Sequence, residues 1–180
     1  MNATSTITER LDFGGRMIAP YGLMALLFIF NTISLSYPLT GGIKAPLILM
    51  AIYYWSIFRP TIVPSWLVFV VGGILDMLSG LPLGVNAFVF VAVQWIVSDQ
   101  RRFLMGQPFI MVWSGFCLVV ALCGLAQWLL FGLVHLHWTP LQPVWTSAVL
   151  GMFIFPFVNV MLHLTHKLLP ARSGNFSSQT

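Results

Sequence analysis

Apolar residues occur in long runs, separated by short segments that contain proline, glycine or charged residues. Each run is predicted to be a helix, because uncharged apolar stretches of this length are typical of helices in a membrane. The second run has 13 residues and covers only roughly 20 Å of a hydrocarbon core ~30 Å thick, so we predict a shallow or locally thinned span. The six predicted helices are 17–37, 46–58, 61–78, 82–98, 108–134 and 144–166.

The polar ends of the chain indicate its organisation. Residues 1–16 are predicted to be a cytoplasmic N-terminal arm, 17–168 a single six-helix membrane domain, and 169–180 a cytoplasmic C-terminal tail. The first apolar run is about 21 residues long and lacks a small-residue cleavage site, which favours a spanning helix over a signal peptide.

Composition strengthens this interpretation. The chain is 58% hydrophobic and 7% charged, with a mean hydropathy of +0.91, whereas a soluble domain averages about 25% charged residues. We therefore predict an all-α integral membrane protein. The net charge of +4 comes from basic residues scattered over the termini and short loops, so it does not indicate nucleic-acid binding.

The basic residues favour one orientation. With the N-terminus in the cytoplasm and six crossings, seven of the eight basic residues lie inside and only Lys44 lies outside, as the positive-inside rule requires. A non-crossing segment at 46–58 would put later basic residues on alternating sides, so the charges support its crossing. Residues 99–102 are predicted to be a charged turn. The seven inside residues are Arg10, Arg16, Arg59, Arg101, Arg102, Lys167 and Arg172.

The segment 72–84 contains the most informative polar and small residues. Gly72, Asp76 and Gly80 fall on one helical face, where two glycines let another helix approach closely. Pro82 predicts that the first helix stops near Gly80 and that a second helix begins at about Pro82. The sequence therefore predicts an elbow between two helices, with an acid near the end of the first.

Two interpretations of Asp76 remain open. Its carboxylate is unfavourable in a membrane and needs a partner, which is either a basic group or ligand, or the backbone N–H groups that begin the next helix, around residues 83–85. Under either interpretation Asp76→Ala is expected to disturb the turn.

No other cluster indicates catalysis, a cofactor or a metal. His135 and His137 are candidate zinc ligands, but no carboxylate or third ligand is near them in sequence, which favours interfacial histidines. His163 and His166 are i, i+3 neighbours near a helix end and favour the same interpretation. A nucleophile paired with a base, or a pair of buried acids, is not evident, so we predict that the protein is not an enzyme.

The elbow also carries a family resemblance. Residues 74–84, Ile-Leu-Asp-Met-Leu-Ser-Gly-Leu-Pro-Leu-Gly, resemble the signature of the MreD family of bacterial rod shape-determining membrane proteins. The segment from Pro46-Leu47 through Tyr53-Tyr54-Trp55 to Arg59-Pro60 is similar to that family's second span and its exit. The resemblance covers roughly residues 17–168.

This resemblance implies a non-enzymatic inner-membrane scaffold for cell elongation and peptidoglycan synthesis. It implies binding to an MreC-like single-span protein and, through it, to the MreB cytoskeleton, RodA and its transpeptidase. It also implies a multi-pass fold similar to the substrate-binding components of energy-coupling-factor transporters. The residues expected to serve helix packing or partner docking are Gly72, Gly73, Asp76, Ser79, Gly80 and Gly84.

The alternative is a small-molecule (vitamin-like) binding subunit of a membrane transporter, which shares the six-span plan and the glycine-rich helix faces. Such a subunit is expected to gather polar and aromatic groups in its external loops. The predicted external loops, 38–45, 79–81 and 135–143, are short, and only the last carries several ring side chains. This favours the scaffold.

Overall fold

The computed structural model describes residues 20–32, 45–80, 82–136 and 140–168, and these residues form six helices and no strand. The all-helical prediction is confirmed for this part of the chain. The predicted arm (1–16) and tail (169–180) lie outside it. The helices are α1 (Pro20–Thr32), α2 (Leu47–Phe58), α3 (Ser65–Ser79), α4 (Val85–Leu104), α5 (Phe109–His135) and α6 (Gln142–Leu168).

The short helix α2 is the centre of the bundle. Every residue from Ile48 to Ile57 is buried, and α2 packs against α4, α5 and α6. A helix that is apolar on all sides is typical of a fully enclosed position. With 12 residues it is about 18 Å long at 1.5 Å per residue. Since protein surrounds it, its length is not set by contact with lipid along its sides.

An aromatic cluster joins α2 to α5 and α6. The Tyr53 ring lies 5.5 Å from the ring of Phe116 and 5.9 Å from that of Phe155, both edge to face. The Phe116 and Phe155 rings stack with their centroids 4.1 Å apart. The Tyr53 hydroxyl donates to the carbonyl of Val112 at 3.0 Å, so its polar end is paired inside the protein.

Helix α6 contains Pro156, which has no N–H to donate to the carbonyl of Met152 one turn earlier. The indole Nε1 of Trp113, on α5, donates to that carbonyl at 3.0 Å. The hydrogen bond missing within α6 is thus replaced by one between helices, which holds α5 against α6.

Helix α4 is longer than the sequence predicts. The predicted charged turn at 99–102 is wrong, because α4 continues through these residues to Leu104. Arg101 and Arg102 lie in the last turn of the helix, where their positive charges interact favourably with the helix dipole. The break comes instead at Met105–Gln107, just before Pro108 caps α5.

Two of the described helices are long and apolar enough to cross a membrane, over Phe109–Val134 in α5 and Gln142–Leu164 in α6. Helix α4 has 20 residues but ends in a charged segment, and α2 and α3 are shorter. The described bundle is consistent with a helical membrane protein. The number of crossings and the orientation stay predictions.

Candidate functional site

Helix α3 ends where the elbow is predicted. Gly80 is the C-cap, with φ +66° and ψ 21°, and its N–H donates to the backbone carbonyl of Asp76. This left-handed conformation favours glycine because a side chain there would crowd the backbone. Helix α4 begins at Val85 rather than at about Pro82, since Pro82 to Gly84 form a turn closed by the Val85 N–H donating to the Pro82 carbonyl at 3.3 Å.

Asp76 is fully buried, and its carboxylate accepts three backbone N–H groups from the start of α4. Oδ2 accepts from Gly84 at 2.9 Å and from Ala87 at 3.4 Å. Oδ1 accepts from Asn86 at 2.9 Å. Of the two interpretations of Asp76, the structure therefore shows the capping of the next helix; the donor at 84 lies within the predicted range 83–85, and those at 86 and 87 lie just beyond it.

This arrangement explains why an acid lies at the end of α3. A negative charge opposes the dipole at the C-terminus of its own helix, but it is favourable at the N-terminus of α4. The N-cap of α4 is Gly84, which has no side chain to cap the helix itself. Asp76 supplies the cap from the neighbouring helix and so fixes the angle between α3 and α4.

Gly72 lets the two helices approach closely. A Cβ placed on Gly72 would lie 2.5 Å from Cα and 2.7 Å from N of Ala87. Real side chains do not make such contacts, so the backbone of α4 occupies the space in which a residue other than glycine has its side chain. The structure thus places the backbone of α4 directly against Gly72.

The other predicted site residues have different surroundings. A Cβ on Gly73 would meet no described atom within 4 Å, and Gly73 is half-buried. Ser79 and Gly80 are exposed, and Gly80 serves as a cap instead of packing against a second helix. Gly84 is half-buried with φ +106°. The structure therefore separates these residues into an inner pair, Gly72 and Asp76, and an outer group.

A second helix cap lies at the same end of the bundle. Oδ1 of Asn31, in the last turn of α1, accepts the N–H of Leu47 at 3.1 Å. Leu47 is the first residue of α2, and its N-cap, Pro46, makes no side-chain cap. In both cases a polar side chain at the end of one helix caps the start of another.

A cavity of about 280 Å³ lies where α2, α4 and α6 begin. Asn86, which is 4% exposed, pairs there with Gln127 of α5, whose Nε2 donates to its Oδ1 at 2.6 Å. Sequence reasoning did not single out Asn86, although its position just after a capping glycine was a usable signal. All six helices contribute to the lining, among others through Asn31, Ile48, Leu75, Asn86, Gln127 and Ser147.

We predict that Gly80→Ala lowers the free energy of unfolding by about 1–2 kcal/mol, because an L side chain is unfavourable in the left-handed conformation. For a domain of this size that is roughly 2–8 °C in the thermal midpoint. The space around Gly80 is open, so the effect is a backbone effect. Gly80→Asn is the control, because asparagine tolerates this conformation better; equal losses in both variants would contradict the explanation.

The predicted histidine pairs are not tested. His137 and the side chains of His135 and His166 lie outside the described residues.

A buried carboxylate that caps a neighbouring helix, close glycine packing and two long apolar helices are together consistent with a helical membrane protein whose α3–α4 elbow is held by hydrogen bonds. The family model for rod shape-determining protein MreD matches residues 12–168. This chain therefore belongs to the MreD family of rod shape-determining membrane proteins, which confirms the resemblance carried by residues 74–84. No curated protein and no solved structure matches the chain.

Proposed function

We propose that this protein is a non-enzymatic scaffold of the bacterial cell-elongation machinery and binds an MreC-type single-span protein. The family match over residues 12–168 is the observation that carries the proposal. Through its partner the scaffold is connected to the MreB cytoskeleton, to RodA and to its transpeptidase in peptidoglycan synthesis. The hydrogen bonds of Asp76 add support, because they commit its carboxylate to a structural role.

We further propose that all six helices cross the inner membrane, with both termini in the cytoplasm. The distribution of basic residues supports this orientation. In this orientation the starts of α2, at Leu47, and of α4, at Val85, face the external side; each is capped by a side chain from another helix. The shortness of α2 is compatible with a crossing because other helices enclose it.

The outer side of the elbow is the proposed docking surface. We define the elbow surface as Gly73, Met77, Ser79, Gly80 and Leu83. Met77 and Leu83 are 70% and 71% exposed, and Gly73 leaves an open notch one turn before Met77. A partner helix packs well on such a surface in lipid, because a glycine notch admits close approach and the long apolar side chains surround it.

The test is co-purification of the tagged chain with an MreC-like single-span protein from gently solubilised membranes. We expect Gly73→Leu to reduce recovery of this partner at least several-fold, because a leucine fills the notch. Gly22→Leu is the matched control: Gly22 is also a helical glycine with no described atom within 4 Å of a Cβ, but it lies on α1. Both variants are expected to express like the wild type and to melt at or slightly above its midpoint, because each replaces a helical glycine where the space is open.

If equal amounts of the MreC-like partner are recovered with the wild type and both variants, the partner does not dock at Gly73. The scaffold proposal is unaffected by that result. Failure to recover any MreC-like protein with the wild type argues against the scaffold itself. The cavity between the helices favours the alternative, a small-molecule-binding subunit of a membrane transporter. A tightly held small molecule in the purified protein, together with no MreC-like partner, would support that alternative.

A further inference from the structure

The cavity at the start of α2, α4 and α6 combines apolar walls with three amide side chains. The walls include Leu75, Phe90 and Val120, and the amides are Asn31 and the Asn86–Gln127 pair. Pockets that bind small molecules are typically apolar with a few convergent polar groups. The volume of about 280 Å³ is sufficient for one small organic group or several water molecules.

The Asn86–Gln127 pair leaves hydrogen-bonding groups unused. Two amides joined by one hydrogen bond always retain one carbonyl oxygen and one NH2 group between them. Here Gln127 Nε2 donates to Asn86 Oδ1, and within the described part of the chain Asn86 Nδ2 and Gln127 Oε1 have no hydrogen-bond partner. Neither atom is among the fully enclosed unpaired polar atoms of the described residues, so both are open to the cavity and can bond there to water or to a polar occupant.

Asn31 adds a second donor to the same cavity. The N–H of Leu47 occupies its Oδ1, which fixes the orientation of the amide. Its Nδ2 makes no hydrogen bond to any residue that the structure describes. The three amides thus offer two NH2 groups and one carbonyl oxygen from α1, α4 and α5, which is the complement of a group that both accepts and donates hydrogen bonds.

Charge is absent from the described lining of this cavity. Asp76 is not a lining residue. Its carboxylate accepts the backbone N–H of Asn86 and two further N–H groups at the start of α4. An ionised ligand would have no counter-charge among the described lining residues. We propose that the cavity binds a small, uncharged molecule that carries an amide group, which accepts from Asn86 and donates to Gln127.

Another buried amide in this protein shows that packing alone does not produce unused groups. Gln94 is 7% exposed, and both of its polar atoms are engaged. Its Oε1 accepts from Ser65 Oγ at 2.7 Å and its Nε2 donates to the carbonyl of Val63 at 3.2 Å. Gln94 therefore has a structural role, whereas Asn86 and Gln127 each keep a polar atom that makes no hydrogen bond to a described residue.

This site is separate from the proposed partner interaction. Gly73, Met77 and Leu83 of the elbow surface are not among the cavity residues, and only Ser79 belongs to both. Ligand binding and partner binding can therefore fail independently in experiments. If both occur, Asp76 positions both, because it holds Asn86 in the cavity wall and fixes the elbow.

The test measures the thermal midpoint of the full chain in detergent with two probes. N-acetyl-alanine N-methylamide is neutral and carries the proposed group, and N-acetyl-alanine is its anionic counterpart. We expect a saturable rise with the neutral probe, about 3–6 °C at ten times its Kd, and no rise with the anion. Gln127→Met should abolish the rise relative to its own midpoint, because methionine keeps the volume and removes the amide.

Gln94→Met is the matched control, since it removes a buried amide outside the cavity. We expect it to lower the starting midpoint and to keep the rise with the neutral probe. The proposal is overturned by no saturable rise in the wild type, by an equal rise with the anion, or by an unchanged rise in Gln127→Met. If Gln127→Met does not fold, the comparison of the two probes on the wild type still tests whether the cavity binds the neutral molecule and not the anion.

Discussion

Asp76→Ala is expected to lower the free energy of unfolding by about 3 kcal/mol, because backbone N–H groups at the buried start of α4 lose a charged acceptor. For a domain of this size the thermal midpoint in detergent should fall by roughly 6–12 °C. Two of the three bonds, to Gly84 and Asn86, are 2.9 Å long and carry most of the effect.

Two further variants make the Asp76 result specific. Asp99→Ala removes an exposed carboxylate from α4 and should change the free energy of unfolding by less than about 0.5 kcal/mol. Asp76→Asn keeps one acceptor oxygen but turns an NH2 group toward N–H donors, so its loss should approach that of Asp76→Ala. Equal melting of the Asp76→Ala and Asp99→Ala proteins would show that the cap contributes little.

Gly72→Ala and Gly73→Ala are expected to have effects of opposite sign. At Gly72 the added Cβ meets the backbone of Ala87 at 2.5 Å, so α4 must move, and the free energy of unfolding should fall by about 1–3 kcal/mol. At Gly73 the space is open, and replacing a helical glycine with alanine should stabilise the protein by about 0.5–1 kcal/mol.

Thermal midpoints in one detergent provide the measurement for this adjacent pair. Composition and helix position are nearly the same in the two variants, so each controls for the other. Similar midpoints for Gly72→Ala and Gly73→Ala would contradict the close contact between α3 and α4. A lower thermal midpoint for Gly73→Ala alone would mean that a part of the protein outside the described residues fills the open space at Gly73.

The sequence predicted the approximate positions of the helices because their signals are local, although α3 and α4 begin at Ser65 and Val85 and not at the predicted 61 and 82. Prolines and glycines mark breaks, and the observed helix starts at Leu47 and Phe109 lie within one residue of the predicted ones. The end of α4 was missed, because the sequence does not show whether Asp99 and Arg101 lie in a turn or on an exposed helical surface. Arginines are favourable in the last turn of a helix, and in this protein the helix continues through the residues that were predicted to form a turn.

The candidate site was predictable in part. Asp76 was recognised because a carboxylate in an apolar segment needs partners, and the start of the next helix was among the partners considered. The different roles of Gly72 and Gly73 were not predictable, since a glycine has the same local signal whether or not a backbone lies against it. Gly80 was assigned to the packing face by helical periodicity, and the helix was also predicted to stop near it; the structure places Gly80 as the C-cap and not in a helix contact.

By itself the sequence determined the class of protein and the presence of an elbow, because hydropathy, helix breaks and an isolated acid act over a few residues. The tertiary structure alone decided that α2 is enclosed on all sides and that Asn31, Asn86 and Gln127 line one cavity. These groups are far apart along the chain, and the packing of six helices brings them together. Their separation in sequence carries no periodic signal, which is the physical reason that only the folded bundle shows the site.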